Sequence, residues 1–350
     1  MIAALYIPLS ILAGMVAAAA VTGNTVVMKP AEQTPVIGSW LMRAIKEAGF
    51  PAGVVNLVHG YGEEIGDTLT GSPIPAMVAF TGSKAVGLHI LRQAAIVQPG
   101  QRHIKKVIAE LGGKNAIIID SDADLDEALG GVLYSAFGFG GQKCSAASRV
   151  IVVDDIYERF MSRLLEAAKT IKTQPARDAN TFVGPVIDAE AKNRIEQMIE
   201  IGKTEATLAF QGARPEGNGY FVPPTIFTNV KPDSRLAQDE IFGPVLAVIR
   251  AKTIDEAIEI ANSVEYGLTG GLYSRSPANI EKVKAAFDVG NLYVNRGCTG
   301  AMVDRHPFGG FKMSGTGSKT GGPEYLIQFM EPRVVTENTL RRGFAPVEES

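Results

Sequence analysis

Short apolar runs and longer amphipathic stretches alternate along the first third of the chain, and this order predicts an α/β fold. The short runs predict strands at Thr25–Met28, Val54–Val58 and Met77–Phe80. The longer stretches predict helices over Leu9–Val21, Thr34–Ala48, Glu63–Thr70 and Lys84–Ala95. Short loops between such elements favour right-handed crossovers, so we expect a doubly wound parallel sheet.

A second block of alternating elements begins after Gly113 and predicts a second α/β domain. The tail beyond Gly310 is rich in Gly, Ser and Thr, and Val334 and Val335 then predict a terminal strand able to pair outside its own domain. The predicted strands of the second block are Asn115–Ile119, Arg149–Val153, Leu246–Arg250, Gly271–Tyr273 and Asn291–Asn295, and its predicted helices are Ile156–Ile171, Ala191–Ile201 and Ile254–Asn262.

Composition and charge indicate the class of protein and disfavour some classes of partner. Hydrophobic residues make up 46% and charged residues 20% of the 350 positions, which is ordinary for a globular chain of two domains. The formal net charge is -3 and the basic residues are scattered, so nucleic acid is disfavoured as a partner. Only 2 cysteines occur, which disfavours a disulfide scaffold and favours a cytoplasmic location.

The apolar run Ile2–Val21 is long enough to span a bilayer when it is taken alone. It lacks a basic start and is interrupted by Pro8, Ser10 and Gly14, which is weak for a signal peptide. A helix buried under a sheet has the same Ala-rich composition. We therefore predict a core helix and no membrane segment.

Cys144 lies in the glycine-rich run Phe139–Ser145, 34 positions after Glu110. The glycines let the backbone approach a ligand closely, and Lys143 would help to hold the thiol as the reactive thiolate. A lone cysteine can also be a small core residue, and this interpretation fits Cys298 better. The flanking sequence therefore predicts a thiol nucleophile at Cys144 with a carboxylate base, and no metal site is predicted.

Glycines and hydroxyls that follow the first strands predict a phosphate-binding crevice, because ligands of such sheets bind at the carboxyl ends of the strands. The signal is weak, since the spacing is not the usual dinucleotide fingerprint and a plain glycine-rich turn explains it equally. Lys29 and Glu32 could hold ribose hydroxyls, or they could be a solvated pair. The other candidate residues are Gly60, Gly62, Gly66, Thr81, Gly82 and Ser83.

Five motifs in order resemble the NAD(P)-dependent aldehyde dehydrogenases. They are Lys29–Pro35, Phe80–Ser83, Glu110–Lys114, Gly141–Cys144 and Glu240–Pro244. Within that family, Gln142–Ala146, Pro307–Thr316 and Val335–Thr339 look most like the 1-pyrroline-5-carboxylate dehydrogenase branch, which oxidises glutamate γ-semialdehyde and also occurs as one domain of bifunctional proline-utilisation proteins. The resemblance covers nearly the whole chain and implies a Rossmann-type NAD-binding domain, an α/β catalytic domain and a C-terminal oligomerisation strand.

The resemblance also implies roles for single residues. Cys144 would be the nucleophile and Glu110 the general base. Ser145 and the amides of Gly300 and Ala301 would receive the substrate carboxylate, with Phe308 against its aliphatic stem. Lys29 and Glu32 would hold the adenosine ribose, Ser83 a phosphate and Glu240 the nicotinamide ribose, with Leu111 and Phe242 near the ring. The cofactor would be NAD, because the Glu32 carboxylate would repel the 2′-phosphate of NADP.

The start of the chain departs from the family pattern. Where relatives read Pro-Trp-Asn-Phe-Pro-Leu, this chain has Ala4–Leu9, so Tyr6 stands in place of an asparagine that helps to bind the oxyanion. We also expect the first strand of the nucleotide-binding sheet to be absent, which would leave a sheet edge unpaired. The expected parts are an incomplete NAD-binding domain at 1–112, a catalytic domain at 113–310 and a return segment with an oligomerisation tail at 311–350.

Other functions stay open from the sequence. A catalytically silent NAD-binding subunit would fit the departures near the start, and a cysteine-dependent esterase would need no cofactor. An aldehyde dehydrogenase of another substrate preference is a further alternative. The expected partners are a small aldehyde and either further copies of the chain or a chain that supplies the missing region.

Overall fold

The computed structural model describes residues 1–3 and 6–339, and within them the first block alternates helices and strands as expected. The sequence pattern located every element of this block except the last strand, whose apolar centre is short and flanked by charges. In chain order the elements are α1 (Pro8–Val21), β1 (Val26–Met28), α2 (Pro35–Glu47), β2 (Val55–Leu57), α3 (Gly62–Gly71), β3 (Met77–Thr81), α4 (Lys84–Ala94) and β4 (Lys106–Glu110).

The apolar run near the start forms α1, which opens on Pro8, a residue suited to the first helical position. Leu12, Met15 and Val16 are buried in a core shared with β1 and β3. Within residues 1–3 and 6–339, every helix is too short or too polar to cross a membrane.

Residues 1–3 lie between two strand pairs of the first block, β1–β2 and β3–β4. Ile2 is bridged in parallel to Lys29 at the end of β1 and to Phe80 of β3, and its N–H donates to the Ala79 carbonyl at 2.9 Å. These three residues join the parallel pair β1–β2 to the parallel pair β3–β4. Ile2 forms a bridge and no strand, but the expectation of an unpaired edge is wrong where these residues lie, because they bond the carbonyls of Val27, Lys29 and Ala79. Ala4 and Leu5 lie outside the described residues.

The second block builds a sheet of seven strands with helices on both faces. Its elements are β5 (Asn115–Ile119), α5 (Leu125–Phe137), β6 (Ala147–Val153), α6 (Asp154–Ala168), α7 (Ala189–Glu205), β7 (Thr207–Gln211), β8 (Thr225–Thr228), α8 (Arg235–Gln238), β9 (Val245–Ala251), α9 (Ile254–Asn262), β10 (Tyr266–Gly267), β11 (Thr269–Tyr273), α10 (Pro277–Ala286) and β12 (Asn291–Val294).

The strand order of this sheet is β12-β11-β5-β6-β9-β8-β7, and only the β7–β8 pair is antiparallel. All five residues of β5 are buried. Ile118 packs into the apolar core on one face, and Ile117 and Ile119 pack into the core on the other. Such a strand, covered on both faces, is typical of the centre of a parallel sheet.

The last segment returns to the first block. It contains β13 (Phe311–Lys312), β14 (Gly315–Thr316) and α11 (Glu324–Ile327), and β14 pairs antiparallel with β4. Residues 331–339 form no strand within the chain, and the side chains of Val334 and Val335 are 88% and 73% exposed. The predicted terminal strand is therefore not formed by the single chain, because a strand needs a neighbour to pair with. Residues 340–350 of the predicted tail lie outside the described residues.

Candidate active site

A left-handed turn positions Cys144. In the turn Gly138–Gly141 the residues Phe139–Gly141 have φ between 61° and 65°, a region that favours glycine. A Cβ added at Gly141 would overlap the carbonyl oxygen of Gly243. The glycine therefore lets this turn pack on the 240–244 segment and brings Cys144 beside it.

The thiol of Cys144 is only partly exposed, and the enclosing protein raises its pKa to about 12 by desolvation. A hydrogen bond with the Tyr6 hydroxyl and another from the Ser145 N–H lower the pKa, whereas the carboxylates of Glu110 and Glu240 raise it further. The thiol of the unliganded protein is therefore protonated at neutral pH. The tyrosine hydroxyl and the backbone amide are the main groups that favour its ionisation.

Tyr6 occupies the position where the family pattern has asparagine. Its side chain is buried, and its ring packs edge-on against Phe242 with 5.1 Å between centroids. Burial, followed by the charge of Cys144, raises the pKa of Tyr6 well above its ordinary value. The hydroxyl therefore keeps its proton and can donate to Cys144. The sequence alone places Tyr6 at the oxyanion position of the family pattern but does not show that its hydroxyl bonds the thiol.

The Lys143 ammonium interacts with an aromatic ring and with both cysteine thiols. Its ammonium lies 5.2 Å from the ring centroid of Tyr134, and it interacts electrostatically with Cys298 more than with Cys144. Burial lowers the pKa of Lys143. Because Lys143 also interacts electrostatically with Cys144, the expectation that it helps to hold the thiolate stays a prediction.

Glu110 ends β4 and carries a buried carboxyl group. Its Oε2 atom is buried without a hydrogen-bond partner among residues 1–3 and 6–339, and burial raises its pKa to about 8. The charge of Lys319 acts in the opposite direction and lowers the pKa. An uncompensated buried oxygen of this kind is suited to accept a proton from a bound water.

A cleft of about 400 Å³ lies beside the neighbouring strand β3. Thr81 lines the cleft and is paired with Glu110 across β3 and β4, so the cleft and the carboxyl group are close. Helices α3 and α4 form its far walls. Six of the predicted cofactor residues line the cleft, namely Lys29, Glu32, Gly62, Gly66, Thr81 and Gly82. Sequence reasoning missed other lining residues, among them Asp67, Thr70, Val86, His89 and Ile90, whose helical spacing on α3 and α4 was the available signal.

The cleft fits a dinucleotide. The Lys29 ammonium is buried and bonds the Glu32 carboxylate at 2.8 Å, so this carboxylate is fixed at the cleft lining. Cβ positions built on Gly62 and Gly66 meet no atom within 4 Å, which leaves room for a ligand at the start of α3. The bond with Lys29 favours the ionised form of Glu32 and lowers its pKa against the effect of burial.

Five predicted cofactor residues do not line this cleft, and two of them, Gly60 and Ser83, make contacts within the first block. The backbone of Gly60 packs against the Ile65 side chain. The Ser83 hydroxyl accepts a hydrogen bond from the Val86 N–H at 3.4 Å and caps α4. The proposed phosphate contact of Ser83 would therefore compete with this cap.

The remaining cofactor candidates lie nearer the thiol. The Glu240 carboxylate accepts a hydrogen bond from the Gly113 N–H at 3.0 Å, and burial raises its pKa. Phe242 has a φ of 54° and packs on Tyr6. Leu111 is buried against Gly87 of α4. These three side chains thus border the space between the cleft and Cys144.

The predicted substrate residues are spread over two loops. The buried Ser145 carbonyl accepts bonds from the Thr269 hydroxyl at 3.2 Å and the Cys298 thiol at 3.5 Å. This contact brings the 298–301 loop, with Gly300 and Ala301, to the nucleophile segment. Phe308 is fixed by a pair of backbone hydrogen bonds to Thr320 at 2.8 and 2.7 Å. Cys298 is fully buried, as its interpretation as a packed small residue requires.

No cluster of three or more His, Cys, Asp or Glu side chains that could hold a metal ion occurs in the part of the chain that the structure describes.

A comparison with protein-family models matches residues 1–335 to the aldehyde dehydrogenase family. The chain belongs to this family. It has the α/β fold that such dehydrogenases share with the solved relatives below.

Curated relatives and solved structures show which branch of the family the chain is similar to. The chain is 51% identical over 330 residues to 1-pyrroline-5-carboxylate dehydrogenase of Geobacillus sp. strain WCH70. The match covers 94% of this chain and 64% of that relative, so the chain spans just under two thirds of the length of the curated relatives it matches. It is 64% identical to proline utilization A of Bdellovibrio bacteriovorus, with a TM-score of 0.96 over 99% of this chain and 36% of that protein.

A 1-pyrroline-5-carboxylate dehydrogenase from Thermus, solved with bound NAD, is 49% identical with a TM-score of 0.92. That match covers 94% of this chain and 64% of the Thermus chain. Similarity to this family branch therefore extends over nearly the whole chain.

Proposed function

We propose that the chain is the cofactor-binding and catalytic part of a cytoplasmic, NAD-dependent enzyme that oxidises L-glutamate γ-semialdehyde, the open form of 1-pyrroline-5-carboxylate, to L-glutamate in proline catabolism. The observation that carries this proposal is that the Cys144 thiol bonds the Tyr6 hydroxyl and couples electrostatically to Glu110, whose strand partner Thr81 lines the cleft. The similarity to enzymes of that name and the NAD in the Thermus relative support it.

In this mechanism the Cys144 thiolate forms a carbon–sulfur bond with the aldehyde carbonyl. The Tyr6 hydroxyl and a backbone N–H would stabilise the oxyanion that results. NAD, when bound along Lys29, Glu32 and the start of α3, would supply the hydride acceptor. Glu110 would then take a proton from water as that water attacks the acyl group on Cys144, and the acid would be released with the thiolate restored.

A second candidate is a weak or silent subunit that binds NAD. The specific observation in its favour is the pKa of about 12 at Cys144, which leaves very little thiolate at neutral pH. Calorimetric binding of NAD without any turnover would support this candidate over an active enzyme.

Association with other chains belongs to the same proposal. The strongly exposed Val334 and Val335 favour pairing with a further copy, or with a polypeptide that carries the part of the relatives that this chain does not match. Light scattering of the purified protein, alone and with that part supplied in trans, would measure its state of association. A soluble monomer with full activity and no gain from complementation would contradict this part.

The test of the activity is NADH formation from glutamate γ-semialdehyde by the unchanged protein, Cys144→Ala and Cys298→Ala. Cys144→Ala should abolish turnover, and the matched Cys298→Ala variant should retain it. Neutral aldehydes such as hexanal should react less well, because the Ser145 and Gly300–Ala301 loops would receive an anionic end group. Full activity in Cys144→Ala would overturn the assignment of the nucleophile, and ester cleavage without NADH formation would favour an esterase.

A further inference from the structure

Glu110 and Lys319 are an acid and a base without a salt-bridge partner among residues 1–3 and 6–339. Lys319 forms no ion pair at salt-bridge distance with a carboxylate among residues 1–3 and 6–339, and its ammonium donates to the Gly290 carbonyl. Glu110 in turn has a buried oxygen without a partner in the same part of the chain. Buried charges are costly unless an opposite charge or hydrogen bonds compensate them.

Gly309 places these two side chains against each other. A Cβ built on Gly309 would lie 3.1 Å from Oε1 of Glu110 and 3.2 Å from Cγ of Lys319. The paired backbone hydrogen bonds between Phe308 and Thr320, at 2.8 and 2.7 Å, hold the neighbouring residues 309 and 319 side by side. The carboxylate and the lysine stem therefore approach one point that only a glycine leaves free.

We infer that Lys319 is a positioning residue that favours the ionised form of Glu110, the form that takes a proton from the attacking water. The inference rests on the proposed function for the reaction that it serves. The electrostatic contact itself can be tested without that reaction.

The other titratable groups that face Glu110 cannot replace Lys319. Cys144 and Tyr6 both couple to Glu110 electrostatically, and each would carry a negative charge if ionised. Tyr325 is buried, and burial raises its pKa to about 12, so it is neutral. Among these groups Lys319 is the cation, and its charge lowers the pKa of Glu110.

This arrangement also orders the two steps of the reaction. While Cys144 is a thiolate, its charge disfavours ionisation of Glu110, so the base is held back. Once an acyl group occupies the sulfur, that negative charge is gone and the attraction of Lys319 remains. Glu110 then ionises at the stage where a base for water is needed.

The experiment measures the pKa of Glu110 directly, from the infrared carboxyl C=O band that Glu110→Gln removes. The unchanged protein is compared with Lys319→Met, Lys319→Arg and the matched control Lys312→Met, whose lysine pairs with Asp288 at 3.4 Å. The pKa should rise by about one unit in Lys319→Met, since an opposite charge several ångströms away has an effect of this order. It should return in Lys319→Arg and stay unchanged in Lys312→Met.

The kinetic readout separates positioning from folding. In Lys319→Met the burst of NADH should keep its amplitude, while the steady-state rate near neutral pH should fall about tenfold, because one pKa unit changes the ionised fraction tenfold. An unchanged Glu110 pKa in Lys319→Met, or no recovery in Lys319→Arg, would overturn the inference. If the pKa moves as expected but no protein forms NADH, the proposed function fails and the electrostatic contact stands.

Discussion

Tyr6→Phe removes the hydroxyl that bonds the Cys144 thiol and keeps the ring that packs on Phe242 at 5.1 Å. A hydrogen bond to a charged group contributes about 1.5 to 3 kcal/mol, and one pKa unit corresponds to about 1.4 kcal/mol. The pKa of Cys144, about 12 in the unchanged protein, should therefore rise by about one to two units. Because the thiolate is the reactive form, alkylation at fixed pH should slow about 10- to 100-fold.

The assay is the rate of modification by iodoacetamide, followed by intact-protein mass spectrometry in a Cys298→Ala background so that Cys144 alone reports. Tyr134→Phe is the control, because it also removes a hydroxyl from a ring beside the nucleophile segment, and that ring is 59% exposed. Tyr134→Phe should react at the unchanged rate. Equal or faster alkylation of Tyr6→Phe would refute the view that its hydroxyl favours the thiolate.

Two further predictions concern the carboxylates. Glu110 keeps its proton up to a pKa of about 8 in the folded protein, against 4.5 ordinarily, so its favourable contribution is complete below 4.5 and is lost as the pH rises through 8. Urea titrations above pH 8 should therefore show that Glu110→Gln has a free energy of unfolding about 3 to 5 kcal/mol higher than the unchanged protein. Near pH 4 the two proteins should be equally stable. The reverse trend would contradict the raised pKa. Glu32→Ser should weaken the preference for NAD in calorimetric titrations with both cofactors, because the carboxylate that repels a 2′-phosphate is gone; tighter binding of NADP than NAD by the unchanged protein would contradict it.

The sequence predicted the elements well where the hydrophobic period was strong. Asn115–Ile119 and Ile254–Asn262 have the predicted bounds, since the first is apolar after its initial asparagine and the second has clear helical spacing. The family and the α/β fold were also predicted and are confirmed by the comparisons. The roles of Cys144 and Glu110 stay predictions, although the structure brings both to one place.

What the sequence missed are contacts between residues far apart in the chain. Tyr6 bonds Cys144, and Lys319 acts electrostatically on Glu110, through a fold that no local pattern encodes. The aromatic neighbour of Lys143 was also missed, because adjacency along the chain says nothing about which way a side chain turns. The role of residues 1–3 was missed because three residues are too few for a periodic signal.

Gly309 is an uncharged residue that lies beside both the Glu110 carboxyl group and the Lys319 stem. A methyl group at this position would lie 3.1 Å from Oε1 of Glu110 and 3.2 Å from Cγ of Lys319, so these neighbours would have to shift. An evolving enzyme could thus retune its base without altering a charged side chain. Comparative surveys that track only ionisable positions would overlook such a change.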